Sequence, residues 1–485
     1  MSSVVVSPAR PDNHELLRIG SKRVDTPGRI EVRDPATGTI VGSCANASTT
    51  DVVAAVDAAQ AAYRTWGRTT ASDRAGVLHD IAEAMVADEP QLARLVTAEV
   101  GKPLAESSGE VDYAAEFAHW YAEEARRVSG RVTIGGPDEP WRQLVRQPIG
   151  VVGAITPWNY PLVLSARKAF AAIAAGCTVV LKPSELAPLS VFRLGMLAQQ
   201  AGLPDGVLNI VTASPPTIVG DVFSTDPRVR KISFTGSVAT GKTLMRAAAR
   251  TLTRVGLELG GNNAFLVFED ADLDLAVRAA VVAKLRNGGQ TCVCANRFLV
   301  HESVLTEFAD RLAEALGGKV VGSGSDPATE VGPMINQRAV DRIRVAVDQA
   351  LANGATAVRA TNNSLPDGPY YPPTVLLDVD ADSTLMTEEI FGPVAPVTGF
   401  HDFEQAIDLA NDTEYGLAAY VFTASLRTAM RASEELETGI VIVNRAAPSG
   451  VEFPQGGVKQ SGIGLEGGPE GLADFTTSKF VTLGG

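Results

Sequence analysis

Residues 151–182, VVGAITPWNYPLVLSARKAFAAIAAGCTVVLK, decide the fold. A short apolar run, VVGAIT, leads into a loop containing Pro and Asn. LVLSARKAFAAIAAG follows, with the composition and length of a helix, and a second short apolar run, CTVVLK, closes the unit. Strand, crossover of about a dozen residues, strand is the pattern of two parallel neighbours joined by a helix. The alternation continues outward through SVFRLGMLAQQAG, GVLNIVT, VRKISFTG and SVATGKTLMRAAARTL. A second series runs from NAFLVF through LDLAVRAAVVAKLRN, CVCANRFLV and VLTEFADRLAEAL to GIVIVN. The expected class is therefore α/β, with two doubly wound parallel-sheet domains and a cleft between them.

The stretch RVTIGGPDEPWRQLVRQP is polar, broken by Pro and Gly, and reads as a small β arm. Gly-rich GGVKQSGIGLEGGPEGL reads as loop on the cleft rim followed by a docking segment. The expected division is a first domain of residues 1–125 and 148–257, a second of 258–460, and an arm and tail of 126–147 and 461–485.

Composition excludes several classes. A chain of 485 residues that is 45% apolar and 20% charged can bury large cores. Its net charge is −14 and its basic residues are scattered, so no nucleic-acid partner is expected. The opening MSSVVVSPARPDNHELL lacks the basic and apolar regions of a secretory signal. The longest apolar run, AFAAIAAGCTVVL, falls short of the roughly 18 residues needed to span a bilayer, so no membrane partner is expected either. Four cysteines without regular spacing make no disulfide framework, and the expected location is the cytoplasm.

Two of those cysteines stand one residue apart in GQTCVCANR, residues 289–297. Zinc needs about four ligands, and the five histidines are isolated, so no metal is expected. A structural disulfide between residues two apart would be strained. Burial as core suits Cys44 and Cys177. For Cys292, the polar, Gly-containing RNGGQT loop and Thr291 favour an accessible nucleophile, and on spacing alone that reading and the core reading stand level.

LELGG, with Glu258, followed by GGQTCVCANR resembles the active-site pair of the NAD(P)-dependent aldehyde dehydrogenase superfamily. PIGVVGAITPWNYP, AAGCTVVLKPSE, FTGS, EEIFGPV and GGVKQSGIG match in the same order over nearly the whole chain. The resemblance implies that a Cys292 thiolate attacks an aldehyde, that the Asn159 side chain and the Cys292 backbone N–H hold the oxyanion, and that hydride leaves to nicotinamide. Glu258 then activates the water that hydrolyses the thioester. Lys168, which we count as catalytic, and Glu466 match polar residues near the cleft.

The first domain is by the same resemblance the NAD-binding one and the second the catalytic one. Cofactor contacts are expected from Ile155, Thr156, Pro157 and Trp158, from Lys182, Ser184 and Glu185, and from Gly236, Ser237, Leu259, Glu389 and Phe391. A carboxylate at Glu185 accepts ribose hydroxyls and repels a 2′-phosphate, which favours NAD over NADP. Gly236 and Ser237 open a helix whose N-terminal amides can meet the pyrophosphate.

The substrate is expected to be a small aldehyde. Arg167 and Arg286 fall along the implied tunnel, where two guanidiniums make a fork for a distal carboxylate, and Ser449 could add a hydroxyl. The surrounding sequence is most similar to the succinate-semialdehyde dehydrogenases. Departures from the family pattern are Gln455 in place of a usual Phe, Leu465 in place of a usual Arg, and VTASPP, which lacks customary glycines. They keep a longer acidic semialdehyde, or a non-acidic aldehyde, as an alternative; a thiol-dependent acyl hydrolase and a non-catalytic homologue are rivals from other classes. Cys294, if its segment is extended, faces the same side as Cys292 and could be its redox partner. A homodimer or homotetramer is implied, with arm and tail at the interface.

Overall fold

The computed structural model describes residues 13–136, 139–358, 365–448 and 450–484. Two large sheets dominate it. The first has eight strands, ordered Gly462–Ile463, Arg254–Glu258, Val229–Thr235, Val151–Ile155, Thr178–Lys182, Leu208–Ile210, Leu17–Ile19 and Lys22–Val24. The five from Arg254–Glu258 to Leu208–Ile210 are parallel, and the outer ones are antiparallel. Because helices cover both faces, residues of the inner strands are buried whichever way they point, so these strands read as unbroken apolar runs. Val152, Ala154, Val179 and Leu181 enter one core, while Val151, Val180, Ile232 and Phe234 enter another.

Helix Pro161–Ala175 is buried along its entire length. Pro161 sets its first turn, and Gly176, at φ +91°, ends it in the left-handed region where a Cβ is unfavourable. Ser165, Arg167 and Lys168 are the polar exceptions on an otherwise apolar cylinder. Burying charge there is costly without a function or a partner.

The second sheet has seven strands, ordered Thr356–Val358, Thr374–Leu377, Val394–Phe400, Ala295–His301, Asn263–Val267, Ala418–Phe422 and Ile440–Val443. All but the first are parallel. Between Glu258, the last residue of a first-sheet strand, and Asn263, the first of a second-sheet strand, lie only Leu259, Gly260, Gly261 and Asn262. That short crossing makes the C-terminal edge of one sheet face the N-terminal edge of the other.

A third, three-stranded sheet pairs Trp141–Pro148 with Arg131–Thr133 and with Thr476–Leu483. The tail expected at 461–485 thus divides between two sheets, since Gly462–Ile463 joins the first sheet beside Arg254–Glu258. Among the described residues, no helix is long and apolar enough to cross a membrane.

Candidate active site

Parallel register aligns the strand ends of the first sheet. Ile155 lies opposite Lys182 and Phe234, and Thr235 lies opposite Glu258. Several residues expected to meet a cofactor therefore lie together at the C-terminal ends of these strands. Lys182 Nζ donates to Glu185 Oε2 at 2.6 Å. Ser184 accepts from the Leu186 N–H, and Thr156 N–H donates to Lys182 O. Ser237 caps helix Val238–Ala248, which starts just after the strand Val229–Thr235, its side chain accepting from the Thr240 N–H. A Cβ at Gly236 would collide with the Phe234 ring, which would have to move to admit it. Leu259 N–H donates to Ser461 O. From the second sheet, Glu389 reaches the Gly261 N–H, and burial pushes its carboxyl up to about 7. Phe391 meets Trp158 edge-on at 5.8 Å.

The Cys292 loop is built on a left-handed run, with Asn287 at φ +50°, Gly288 at +64° and Gly289 at +80°. Asn tolerates that region and Gly prefers it, which is why the stretch reads RNGG. A Cβ at Gly289 would strike Gly392 O. Asn263 Nδ2 holds the carbonyls of Cys292 and Cys294 at 2.7 and 2.8 Å, and Tyr420 OH donates to Val293 O at 2.7 Å. The thiol is thus presented by a loop pinned from behind.

Cys292 lines a cavity of about 460 Å³ together with Asn159, Arg167, Arg286, Thr291 and Gln455. Burial, then the charges of Glu389 and Glu258, push its thiol up to about 12. Asn159 Nδ2 donates one hydrogen to Gln290 O at 3.0 Å, leaving the other free. The Cys292 N–H makes no hydrogen bond among the described residues.

Glu258 is placed differently from the other expected catalytic residues. It does not line the Cys292 cavity but packs in a separate tight pocket with Ser233, Leu465 and Glu466, beneath Gly456. Its Oε1 is buried without a protein partner, and burial followed by the Glu466 charge raises its carboxyl well above the usual range. Glu466 Oε1 accepts from Lys168 Nζ and, at 3.1 Å, from Ser233 Oγ. Burial pushes the Glu466 carboxyl up, but Lys168 and Arg167 outweigh it and hold the group low. Glu258 is therefore the carboxyl that keeps its proton longest.

Arg167 is 8% exposed and its guanidinium lies over the Phe117 ring. Neither it nor Arg286 forms a hydrogen bond or an ion pair among the described residues. Three glutamates share the cavity wall: Glu110 pairs with Lys102, Glu106 accepts from the Asn287 N–H and acts on Arg286 through its charge, and Glu116 makes no hydrogen bond or ion pair among the described residues. Gln455 does line the cavity, and its backbone bridges to Glu466. Ser449 lies outside the described residues.

The expectation for Cys294 needs correction. Its segment is not extended: the Cys294 N–H donates to Thr291 O in a turn, and the strand begins only at Ala295. With alternation broken, the sulfur points toward the carbonyls of Lys284 and Ala295. Sequence reading also missed Asn287, Gln290, Lys102 and Glu110, which support the loop and Asn159. Asn before Gly-Gly was a usable turn signal; nothing local marked the other three.

A family model described as "Aldehyde dehydrogenase family" matches residues 23–481. The chain is 46% identical to the mitochondrial succinate-semialdehyde dehydrogenase of Arabidopsis thaliana, over 96% of this chain and 88% of that one. It is 44% identical to a succinate-semialdehyde dehydrogenase [NADP(+)] of Escherichia coli (strain K12), over 94% of each. The crystal structure of a succinate-semialdehyde dehydrogenase from Burkholderia pseudomallei superposes with a TM-score of 0.94 at 42% identity, covering 97% of this chain and 98% of that one.

Proposed function

The chain belongs to the aldehyde dehydrogenase family, and on that footing we propose that its aldehyde carries a carboxylate, as succinate semialdehyde does. Oxidation of an aldehyde to its acid, with NAD or NADP as acceptor, is the reaction of this family. One observation carries the substrate reading. Arg167, buried, and Arg286, half-buried, line the Cys292 cavity with no hydrogen bond or ion pair among the described residues, and a guanidinium short of hydrogen-bond acceptors is stabilised by an anionic ligand.

In this reading Cys292 is the nucleophile. Its thiolate attacks the carbonyl carbon, and the oxyanion that forms meets the free Asn159 Nδ2 hydrogen and the free Cys292 N–H. A dinucleotide suits the strand ends of the first sheet, which offer the Ser237 helix terminus, a Gly236 turn where a Cβ would meet the Phe234 ring, and a buried Thr235 hydroxyl without a protein partner. When bound, it supplies the hydride acceptor. Ile155, Thr156, Pro157, Trp158, Lys182, Ser184, Glu185, Leu259, Glu389 and Phe391 would hold it. Glu258 then takes a proton from the water that cleaves the thioester, while Lys168 and Glu466 set the charge around it.

The deciding comparison is the initial rate with succinate semialdehyde against butanal, which has the same carbon count and no carboxylate. Arg167→Ala and Arg286→Ala should each lower kcat/KM for the acid by about 1.5–3 kcal/mol, the range of hydrogen bonds to charged groups, and leave butanal nearly unchanged. Equal loss with both aldehydes would sink the carboxylate fork. The 460 Å³ volume of the cavity and the polar Gln455 wall favour a longer acidic semialdehyde as the second reading.

For the cofactor we propose NAD. The support is the carboxylate of Glu185, paired with Lys182, which would repel a 2′-phosphate brought beside it; the relatives include an NADP(+) enzyme. Glu185→Ser should shift the NADP-to-NAD ratio of kcat/KM upward by roughly tenfold, the equivalent of about 1.4 kcal/mol. An unchanged ratio would dismiss the carboxylate as the selector. A homodimer or homotetramer joined through the arm suits the exposed Val132, Ile134, Trp141 and Phe480. Four free cysteines fit a reducing cytoplasm.

A further inference from the structure

At the wall of the Cys292 cavity, which Glu110 helps to line, Lys102 and Glu110 form an ion pair whose side chains are both 0% exposed. Lys102 Nζ donates to Glu110 Oε2 at 2.6 Å and to the Asn159 carbonyl oxygen at 2.7 Å, and sits 3.7 Å from the centre of the Tyr160 ring. The other Glu110 oxygen accepts from the N–H groups of Leu162 and Val163, at 2.9 and 3.3 Å. Helix Pro161–Ala175 has no side-chain cap of its own, because Tyr160 occupies the N-cap position. Its first N–H groups would otherwise be orphaned in a dry interior, and a carboxylate there also complements the helix dipole. Both members of the pair therefore grip a single segment, Asn159 to Val163.

A fully buried ion pair seldom repays its desolvation, so its presence points to a role other than stability. We propose that Lys102 and Glu110 are positioning residues for the Asn159 side chain. The inference rests on the reading of Asn159 as the oxyanion donor. Asn159 is held at two points: its carbonyl by Lys102 and by Asn287 Nδ2 at 3.2 Å, and its amide nitrogen by Gln290 O. With backbone and one amide hydrogen fixed, the second hydrogen has one direction left, into the cavity. Glu110 fixes the start of the helix that carries Arg167, so the same pair sets the spacing between oxyanion donor and guanidinium.

The test is a pre-steady-state burst of NADH in the full-length enzyme carrying Asn159→Ala, Lys102→Met, or both. Asn159→Ala should slow the burst by roughly 10²–10³-fold, as loss of one oxyanion donor does. Lys102→Met should slow it by about 10²-fold, the effect of a misplacement near 1 Å, with the rate of Cys292 alkylation by iodoacetamide unchanged. Added to Asn159→Ala, it should slow the burst no further. Because Lys102→Met leaves a lone buried carboxylate, Lys102→Met with Glu110→Leu serves if the single variant does not fold, and the same slow burst is expected. A slow burst in Asn159→Ala with a parental burst in the pair variant, or with effects that multiply, overturns the positioning role alone. A parental burst in Asn159→Ala overturns the oxyanion reading and the positioning role with it.

Discussion

A Cys292→Ala chain is expected to fold, to bind its dinucleotide as the parent does, and to oxidise no aldehyde. The thiol lines the 460 Å³ cavity on a loop whose backbone is held by Asn263 and Tyr420, and neither of those bonds involves the sulfur. Replacing it removes one partly exposed atom, which should change stability by less than about 1 kcal/mol. Turnover should fall by on the order of 10⁴-fold or more, the scale of nucleophile deletions. Thermal unfolding and NADH formation, measured on the same sample, check both halves. A residual rate within tenfold of the parent would remove Cys292 from the chemistry.

Replacement of Glu258 by Gln should give a different failure. Hydride leaves before water attacks, so one NADH per site should still appear in a burst, after which turnover stalls. Steady-state rate should drop by roughly 10²–10⁴-fold, the usual contribution of a general base. The pH dependence follows from the direction of the shift. Burial and the Glu466 charge raise the Glu258 carboxyl well above its usual range. The group is a base only after losing its proton, so steady-state turnover should climb with pH beyond the point where an exposed carboxyl has ionised. The burst should instead follow the thiol, which is held near 12 before any ligand acts on it. If Glu258→Gln kept the parental pH profile in steady state, another base would be responsible.

The two domains were legible because their strands are short apolar runs buried on both faces, separated by helices of recognisable length. The outer strands Leu17–Ile19 and Lys22–Val24 were not, since three-residue strands leave too little pattern to detect. Within the site, residues in contiguous motifs were found: Asn159 in TPWNYP, Glu258 in LELGG and Cys292 in GGQTC. Lys102 and Glu110 were missed because the segment they hold is distant in sequence; the Lys102–Asn159 bond spans 57 residues. Cys294 was misplaced for the opposite reason. Period-two alternation was applied to a turn, where it does not hold.

Lys168 and Glu466 are joined across 298 residues, and the short strand beside Arg254–Glu258 comes from the same late segment. During synthesis at about 5–20 residues per second, roughly 15 to 60 s separate their emergence from the ribosome. The strand ending in Glu258 waits roughly 10 to 40 s of that interval for its partner Gly462, and until then it is an open sheet edge, with unpaired N–H and C=O groups available to any neighbouring chain. The residue that needs the most protected surroundings in the finished enzyme thus sits on the most adhesive border of the nascent one. Crowding of ribosomes on one message should then lower the soluble yield more than it lowers the specific activity of what survives.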